Sequence, residues 1–444
     1  MARSQTPDHR RVPLNSGDIR HLFRRVGFGA LDSDIAAHVG RARAEVVDAI
    51  LTAPGTVDPA TSPDVAGMTR FEARQVLASW WVTEMATSPA PVIERLTLFW
   101  HSHFACSTNK VTKVSLLRDQ HVTFRRLGAG PFLDLVQAIA VSPATLIELD
   151  NAKNIAGHEQ ENFARELMEL YTLGNGNFAE SDVIDMARAW TGHGLSATSQ
   201  TAAYEFHPAH HDDGPKTLFG LPPRNWNGPD VIDEIVTRSG RAATFHHLST
   251  KLWQQFGDPE FVPAAAVDAI AAAWSAPGGT TIDALRTLLM RDEFWAPERR
   301  FAMVKAPIPW LAEIQRRTGA AFSPKALDGR SGEMGQRLFE PPSVNGWGHN
   351  DFWTTPSRLL ARAHVAKLGR FTIRDSGFLA GMESLDDAAA ADFVLAKFGV
   401  PDAASSTRAG LISFLTSARA DLSRAAVAGE TVRLAATLPE VNLA

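Results

Sequence analysis

The sequence predicts a mainly α, multi-helix protein with one main domain, long irregular loops and little β structure. Apolar residues recur at three- and four-residue intervals through most of the chain. Asp, Ser, Thr or Pro stands near most of the resulting helix starts. Runs of β-branched and aromatic residues at period two are scarce, the best being a short stretch from Ala203 to Phe206.

Taken in order, the spacing predicts helices over Asp18 to Phe23, Asp32 to Ala53, Phe71 to Ala86, Val92 to Phe99, Lys113 to Leu127 and Pro131 to Val141. Ser142-Pro143 punctuates a further segment, and Glu161 to Leu173, closed by Gly174, and Asp182 to Trp190 continue the pattern. From Thr191 to Pro229 the chain turns to Gly, Pro, His and Asn, a length of irregular chain that a compact helical domain seldom carries without a use for it. Helices resume at Asp230 to Ser239, Ala242 to Phe256, Pro263 to Ser275 and Ile282 to Arg291. A second irregular insert, Glu340 to Pro356, holds Trp347 and Trp353. Beyond it an alanine-rich tail reads as a helical cap. The division expected is a main domain over residues 14–370 and a cap over 371–444 packed upon it, with no internal repeat.

Composition narrows the function. Hydrophobic residues make up 45% and charged residues 21%, as in ordinary globular chains. Lys and Arg total 44 against 49 Asp and Glu, a net charge of −5, so no global basic surplus exists to neutralise nucleic-acid phosphates. Cys106 is the only cysteine, which removes intrachain disulfides and multi-thiolate zinc sites. No apolar run reaches membrane-spanning length, so no membrane insertion is expected. Met1 to Asn15 is polar and holds no signal-peptide core; as written the chain reads as cytoplasmic, with export by another route left open.

Histidine is distributed unevenly: ten of the 15 lie between His101 and His247. His101-Ser102-His103 ends an apolar helix, and two imidazoles two residues apart point about 160° away from each other unless the helix stops there. Ligation of a metal by one of them competes with plain packing against Trp100 and Phe104. In Glu161-Asn162-Phe163-Ala164-Arg165-Glu166-Leu167-Met168-Glu169 the polar residues share one helical face of about 140°. That face reads as solvated i,i+4 ion pairs or as a carboxylate ledge in which Arg165 and Asn162 orient Glu161 and Glu166. His207, His210 and His211 with Asp212 and Asp213 offer nitrogen and oxygen ligands, although a surface turn would look the same. Gly27-Phe28-Gly29, Gly128-Ala129-Gly130 and Gly174-Asn175-Gly176 lack the strand-to-helix context of a nucleotide loop.

Several of these segments together resemble a known family. Arg24-Arg25-Val26-Gly27-Phe28-Gly29, Phe99-Trp100-His101-Ser102-His103-Phe104, Glu161 to Gly174 and Ala187-Arg188-Ala189-Trp190-Thr191-Gly192 are similar to motifs of the bacterial DUF1800 family. His211-Asp212-Asp213-Gly214-Pro215-Lys216-Thr217, Lys251-Leu252-Trp253 and Phe339 to Trp347 continue the likeness in the same order, over about Leu14 to Ala366. The family is a domain of unknown function, so the resemblance implies no reaction. Its members are often described as exported, whereas this chain begins without a recognisable signal. The resemblance ranks His101, His103, Glu161, Glu166 and His211 first among the candidates.

The leading expectation is a metal-dependent enzyme. His101, His103 and His211 supply imidazoles, Glu161 and Glu166 a carboxylate ligand and a proton carrier, and Asn162 and Arg165 orientation. Iron or manganese suits such a mixed set, with zinc or copper open, and non-haem redox or oxygen chemistry is the first reaction class. Metal-assisted hydrolysis is the alternative within enzymes, and a non-catalytic binding or assembly protein the alternative outside them. Trp347, Asn345 and Lys216 are the expected contacts to a small-molecule, glycan or peptide substrate.

Overall fold

The computed structural model describes residues 11–52, 62–196, 202–367 and 376–444. Among them run 23 α-helices and one two-stranded sheet. The first helices are α1 (Ser16–Val26), α2 (Asp32–His38), α3 (Arg43–Leu51), α4 (Arg70–Thr87), α5 (Pro91–His103), α6 (Val114–Leu127), α7 (Phe132–Ala140) and α8 (Pro143–Glu148). α9 (Glu161–Glu166) widens into a π turn over Leu167–Tyr171, and α10 (Glu180–Ala189) leads into the hairpin β1 (His193–Leu195) and β2 (Tyr204–Phe206). α11 (Gly228–Thr237), α12 (Arg241–Phe256), α13 (Ala264–Trp274), α14 (Thr281–Leu289), α15 (Asp292–Trp295), α16 (Pro307–Thr318), α17 (Pro324–Glu333) and α18 (Pro356–Lys367) follow. The tail forms α19 (Ser376–Glu383), α20 (Asp387–Lys397), α21 (Ser405–Asp421), α22 (Arg424–Thr437) and α23 (Pro439–Asn442).

Mainly α is therefore the fold class. The best strand candidate is β2, which pairs antiparallel with β1 through His193 opposite Phe206. One predicted helix is two: the expected Asp32 to Ala53 run breaks at Gly40, whose φ of 81° no helix accommodates. α1 starts where Asn15 and Asp18 form a reciprocal capping box, and α4 where Thr69 and Glu72 do the same.

Two hydrophobic clusters fill the interior, and α5 lies between them. One is built on α1, α3 and α7 to α14, and takes Leu96, Phe99 and Trp100 from α5. The other holds residues of α4, α16, α17 and the tail helices, and takes Leu98. Glu94 of α5 is wholly buried, bonded to Arg125 of α6 at 2.7 Å and to the Trp81 indole N–H of α4 at 2.8 Å, so one carboxylate ties three helices together. The tail is continuous with the second cluster: the Trp310 indole N–H donates to the Ala436 carbonyl at 3.1 Å, and Met303 and Ala444 exchange backbone hydrogen bonds.

The insert after α17 returns to the end of α5. Gly346, at φ 74°, seats its Cα where a Cβ would come within 2.2 Å of the Ser102 carbonyl oxygen. Ser102 Oγ then accepts the Trp347 N–H at 3.2 Å. Gly346→Ala combines a left-handed strain with a backbone collision, so it is expected to cost at least about 2 kcal/mol, measured by denaturant unfolding.

Candidate functional site

α5 continues to His103, so the two imidazoles of its last turn leave on opposite sides. His101 enters the second cluster, within 4.9 to 5.5 Å of the Phe339, Trp81 and Trp347 rings. Its Nε2 accepts the Phe339 backbone N–H at 3.1 Å, which occupies a lone pair a metal would need. Burial pushes its pKa down to about 3. His103 enters the first cluster among Phe99, Trp100, Phe104 and Tyr171 and donates Nε2–H to the Tyr171 carbonyl at 3.1 Å. Burial first, then the charge of Lys251 and its neighbour His247, hold it well below the usual histidine range.

The other expected residues lie elsewhere. Arg165 pairs with Glu161 at 3.4 Å and with Glu180 at 3.0 Å on an exposed face, beside exposed Asn162. Glu166 is half-buried, and burial followed by the charge of Glu169 raises its pKa. His211 Nδ1–H donates to the Thr191 carbonyl at 2.8 Å, closing the loop against α10. The Lys216 amine is committed to the Asp212 and Gly214 carbonyls at 2.5 and 3.0 Å and to Asn225 at 3.4 Å. Asn345 is exposed. Among the described residues no three His, Cys, Asp or Glu side chains are grouped to hold a metal ion. The expected convergence on one ion is not what the chain forms.

A different set of residues does converge. The last turn of α1 and the residues after it (Arg24–Gly29), Arg95 and Ser102 of α5, Met303 to Ala306, α16, Gln336 and the Trp347–His349 insert enclose a cavity of about 700 Å³ including its mouth. Its lining carries the cations Arg24, Arg25, Arg95 and Lys305 against the single carboxylate of Glu313, a surplus of three. Of the expected residues, Trp347 lines this space and His101 packs behind it.

Most of these charges are held by backbone oxygens. Arg24 donates to the Gly399 carbonyl at 2.7 Å and lies over the Phe301 ring; Arg25 donates to the Gly257 and Arg299 carbonyls. Glu313 accepts from Arg317 at 2.8 Å and from Lys305 at 2.6 Å. Gly29, at φ 79°, allows the approach, since a Cβ there would fall 2.4 Å from the Glu313 Oε1. Burial alone would raise the Glu313 carboxyl; Lys305 and Arg317 more than reverse this and hold it at about 2. Lys305 is nonetheless pushed down to about 8, because burial is the larger effect and Arg24 and Arg317 repel it while sharing its carboxylate.

Arg95 differs from the rest. Its Nε donates to the Arg25 carbonyl at 3.1 Å, but its two terminal nitrogens have no acceptor and it makes no ion pair among the described residues. It is 6% exposed, and burial lowers its pKa to about 10. The Trp347 indole N–H and the Arg25 Nε–H are likewise buried without an acceptor. The donors left to the cavity itself are the terminal nitrogens of Arg95, the complement of an anion.

Sequence reasoning passed over Arg95, Lys305, Glu313 and Gln336. Each sits in an otherwise ordinary helical or loop stretch. The signals available were Arg24 to Gly29 and Trp347, already singled out but not joined.

Fold and cavity together define an α-helical protein with a buried, cation-lined pocket assembled from distant segments. The sequence profile of the family described as "Protein of unknown function (DUF1800)" matches residues 21–443, and the chain belongs to that family. The match runs through the tail helices, beyond the stretch over which the motifs are recognised by eye. No curated protein and no solved structure matches the chain.

The linkage of Glu313 gives a pH test. Its folded pKa lies below the ordinary value of 4.5, so its stabilisation is complete above about pH 4.5 and is lost as pH falls toward 2. Glu313→Gln is expected to lower stability at pH 7 by ~3 kcal/mol and to flatten the pH dependence between 4.5 and 2, measured by urea unfolding across that range.

Proposed function

We propose that the chain is a ligand-binding protein whose pocket takes a small anion between the Arg24–Gly29 segment, Arg95 and α16. The observation that carries this is Arg95: a buried guanidinium on the cavity wall whose two terminal nitrogens have no hydrogen-bond acceptor and which makes no ion pair, Glu313 acting on its charge only from a distance. Burying such a charge costs several kcal/mol unless a partner meets it.

A second reading keeps the metal expectation at a narrower place. His103 and His247 each donate Nε2–H to a carbonyl of the π turn, those of Tyr171 and Leu170, as metal-bound imidazoles do, and His103 Nδ1 has no partner. Lys251, whose charge acts on both, opposes a cation there. Metal content of protein purified without chelator, compared with His103→Ala, decides it.

The anion reading is tested by thermal melting and calorimetry with acetate, sulfate and phosphate at constant ionic strength. At least one anion is expected to bind and raise the melting temperature, and Arg95→Met, checked for folding by circular dichroism, to lose about tenfold or more in affinity. Absence of binding by every anion, or unchanged binding by Arg95→Met, would overturn it.

A further inference from the structure

The geometry points to a finer assignment, which rests on the anion-pocket reading: the group held beside Arg95 is a tetrahedral dianion, a phosphoryl group carried by a small phosphomonoester or by free phosphate. Charge is the first argument. A monoanion leaves the lining with two uncompensated positive charges, whereas a dianion leaves one. Glu313 cannot help further, since both its oxygens are already engaged by Arg317 and Lys305.

Direction is the second argument. The unanswered donors belong to separate elements of the wall: the Arg95 fork on α5 and Gln336 after α17. The Gln336 amide orientation is fixed, because its oxygen accepts the Ile308 N–H at 2.8 Å; its NH2 group is left without an acceptor. Lys305 spends two of its three hydrogens, on Glu313 and on the Val441 carbonyl at 2.8 Å. A planar carboxylate presents its lone pairs in one plane and is satisfied by one guanidinium fork. A phosphoryl group presents oxygens in three directions, and one fork plus donors from other walls is the arrangement that satisfies it.

The same chemistry sets a pH window. A phosphomonoester gains its second charge near pH ~6. Lys305 loses its charge near 8; it faces Glu313 and Arg317 on α16 and Arg24 on α1, of which Glu313, at about 2, and Arg24, at about 10, keep their charges through that range. His349 on the insert is held below the usual histidine range by burial and by Lys251. Affinity for a monoester is therefore highest between these limits.

The test is calorimetric titration of the full chain with methyl phosphate, inorganic phosphate, sulfate and acetate at constant ionic strength, at pH 5.0, 7.0 and 9.0. Methyl phosphate is expected to bind about tenfold or more tightly at pH 7.0 than at 5.0, to weaken again at 9.0, and to outbind acetate throughout. Sulfate, a dianion at all three values, loses only the alkaline limb. Gln336→Glu keeps the acceptor for the Ile308 N–H while replacing the NH2 donor with a charge, and is expected to weaken phosphoryl binding about tenfold or more and acetate, with one charge and no contact to that donor, by a smaller factor. Free phosphate binding tighter than methyl phosphate assigns the free ion as the source, and the reverse order the monoester. Acetate binding as tightly as methyl phosphate, or a flat response between pH 5.0 and 7.0, overturns the dianion while leaving the anion pocket standing. No binding by any of the four overturns both.

Discussion

Glu313 is the constraint on which the centre of this molecule depends. Arg317 and Lys305 share its two oxygens, and Arg24 and Arg95 lie within its field, all of them buried. Without it, four cations would face one another in a medium that screens them poorly, at a cost of several kcal/mol. The constraint reaches outward. Gly29 is required because the turn after α1 passes against this carboxylate, Arg317 reaches from it to the Ala30 and Lys397 carbonyls, and Lys305 reaches from it to Val441. One side chain on α16 thereby fixes the first helix, the tail and the pocket wall in a common register. One carboxylate among so many cations also leaves the cavity electropositive, so the feature that makes the core tenable is what makes the pocket selective.

The helical architecture was legible because its cause is local. Apolar spacing and capping residues decide a helix within a dozen positions, and α4, α6, α7 and α12 begin and end within a residue or two of where the spacing puts them. Where the reading departs from the structure, a backbone detail overrides the pattern. Gly40 divides one run in two, and the Glu161 to Leu173 run loosens into a π turn at Leu167–Tyr171, whose last carbonyls then accept from His103, His247 and Lys251. Neither event alters the apolar period, so neither is visible in it. The hairpin partner β1 was missed for a different reason: three residues with a glycine at their centre carry no alternation.

The site was less legible because its cause is not local. Histidines attract attention as ligands, but His101 lies in a box of aromatic rings and His103 bonds a carbonyl, and nothing in their spacing distinguishes those uses from ligation. Arg95 sits in Pro91-Val92-Ile93-Glu94-Arg95-Leu96, where an arginine next to a glutamate reads as a surface pair; in fact Glu94 turns to Arg125 and Arg95 turns the other way, toward Phe28. A charged residue inside an apolar helical stretch is the signal that was present, since burial of both neighbours implies that the charge is buried too.

The histidine pair of α5 also takes on a different meaning in this light. Residues 101 and 103 diverge by helical geometry, and each imidazole anchors α5 to one of the two clusters. The residue between them is then forced to face neither cluster. Ser102 points instead to the insert, accepts the Trp347 N–H and lines the cavity, and Gly346 is bare because it packs against the Ser102 carbonyl. Two rigidly packed flanking residues orient a small polar one more firmly than a loop could. The His-Ser-His segment therefore works as a clamp whose middle member presents the pocket floor, and its outer members owe their imidazoles to the hydrogen bonds of Phe339 and Tyr171.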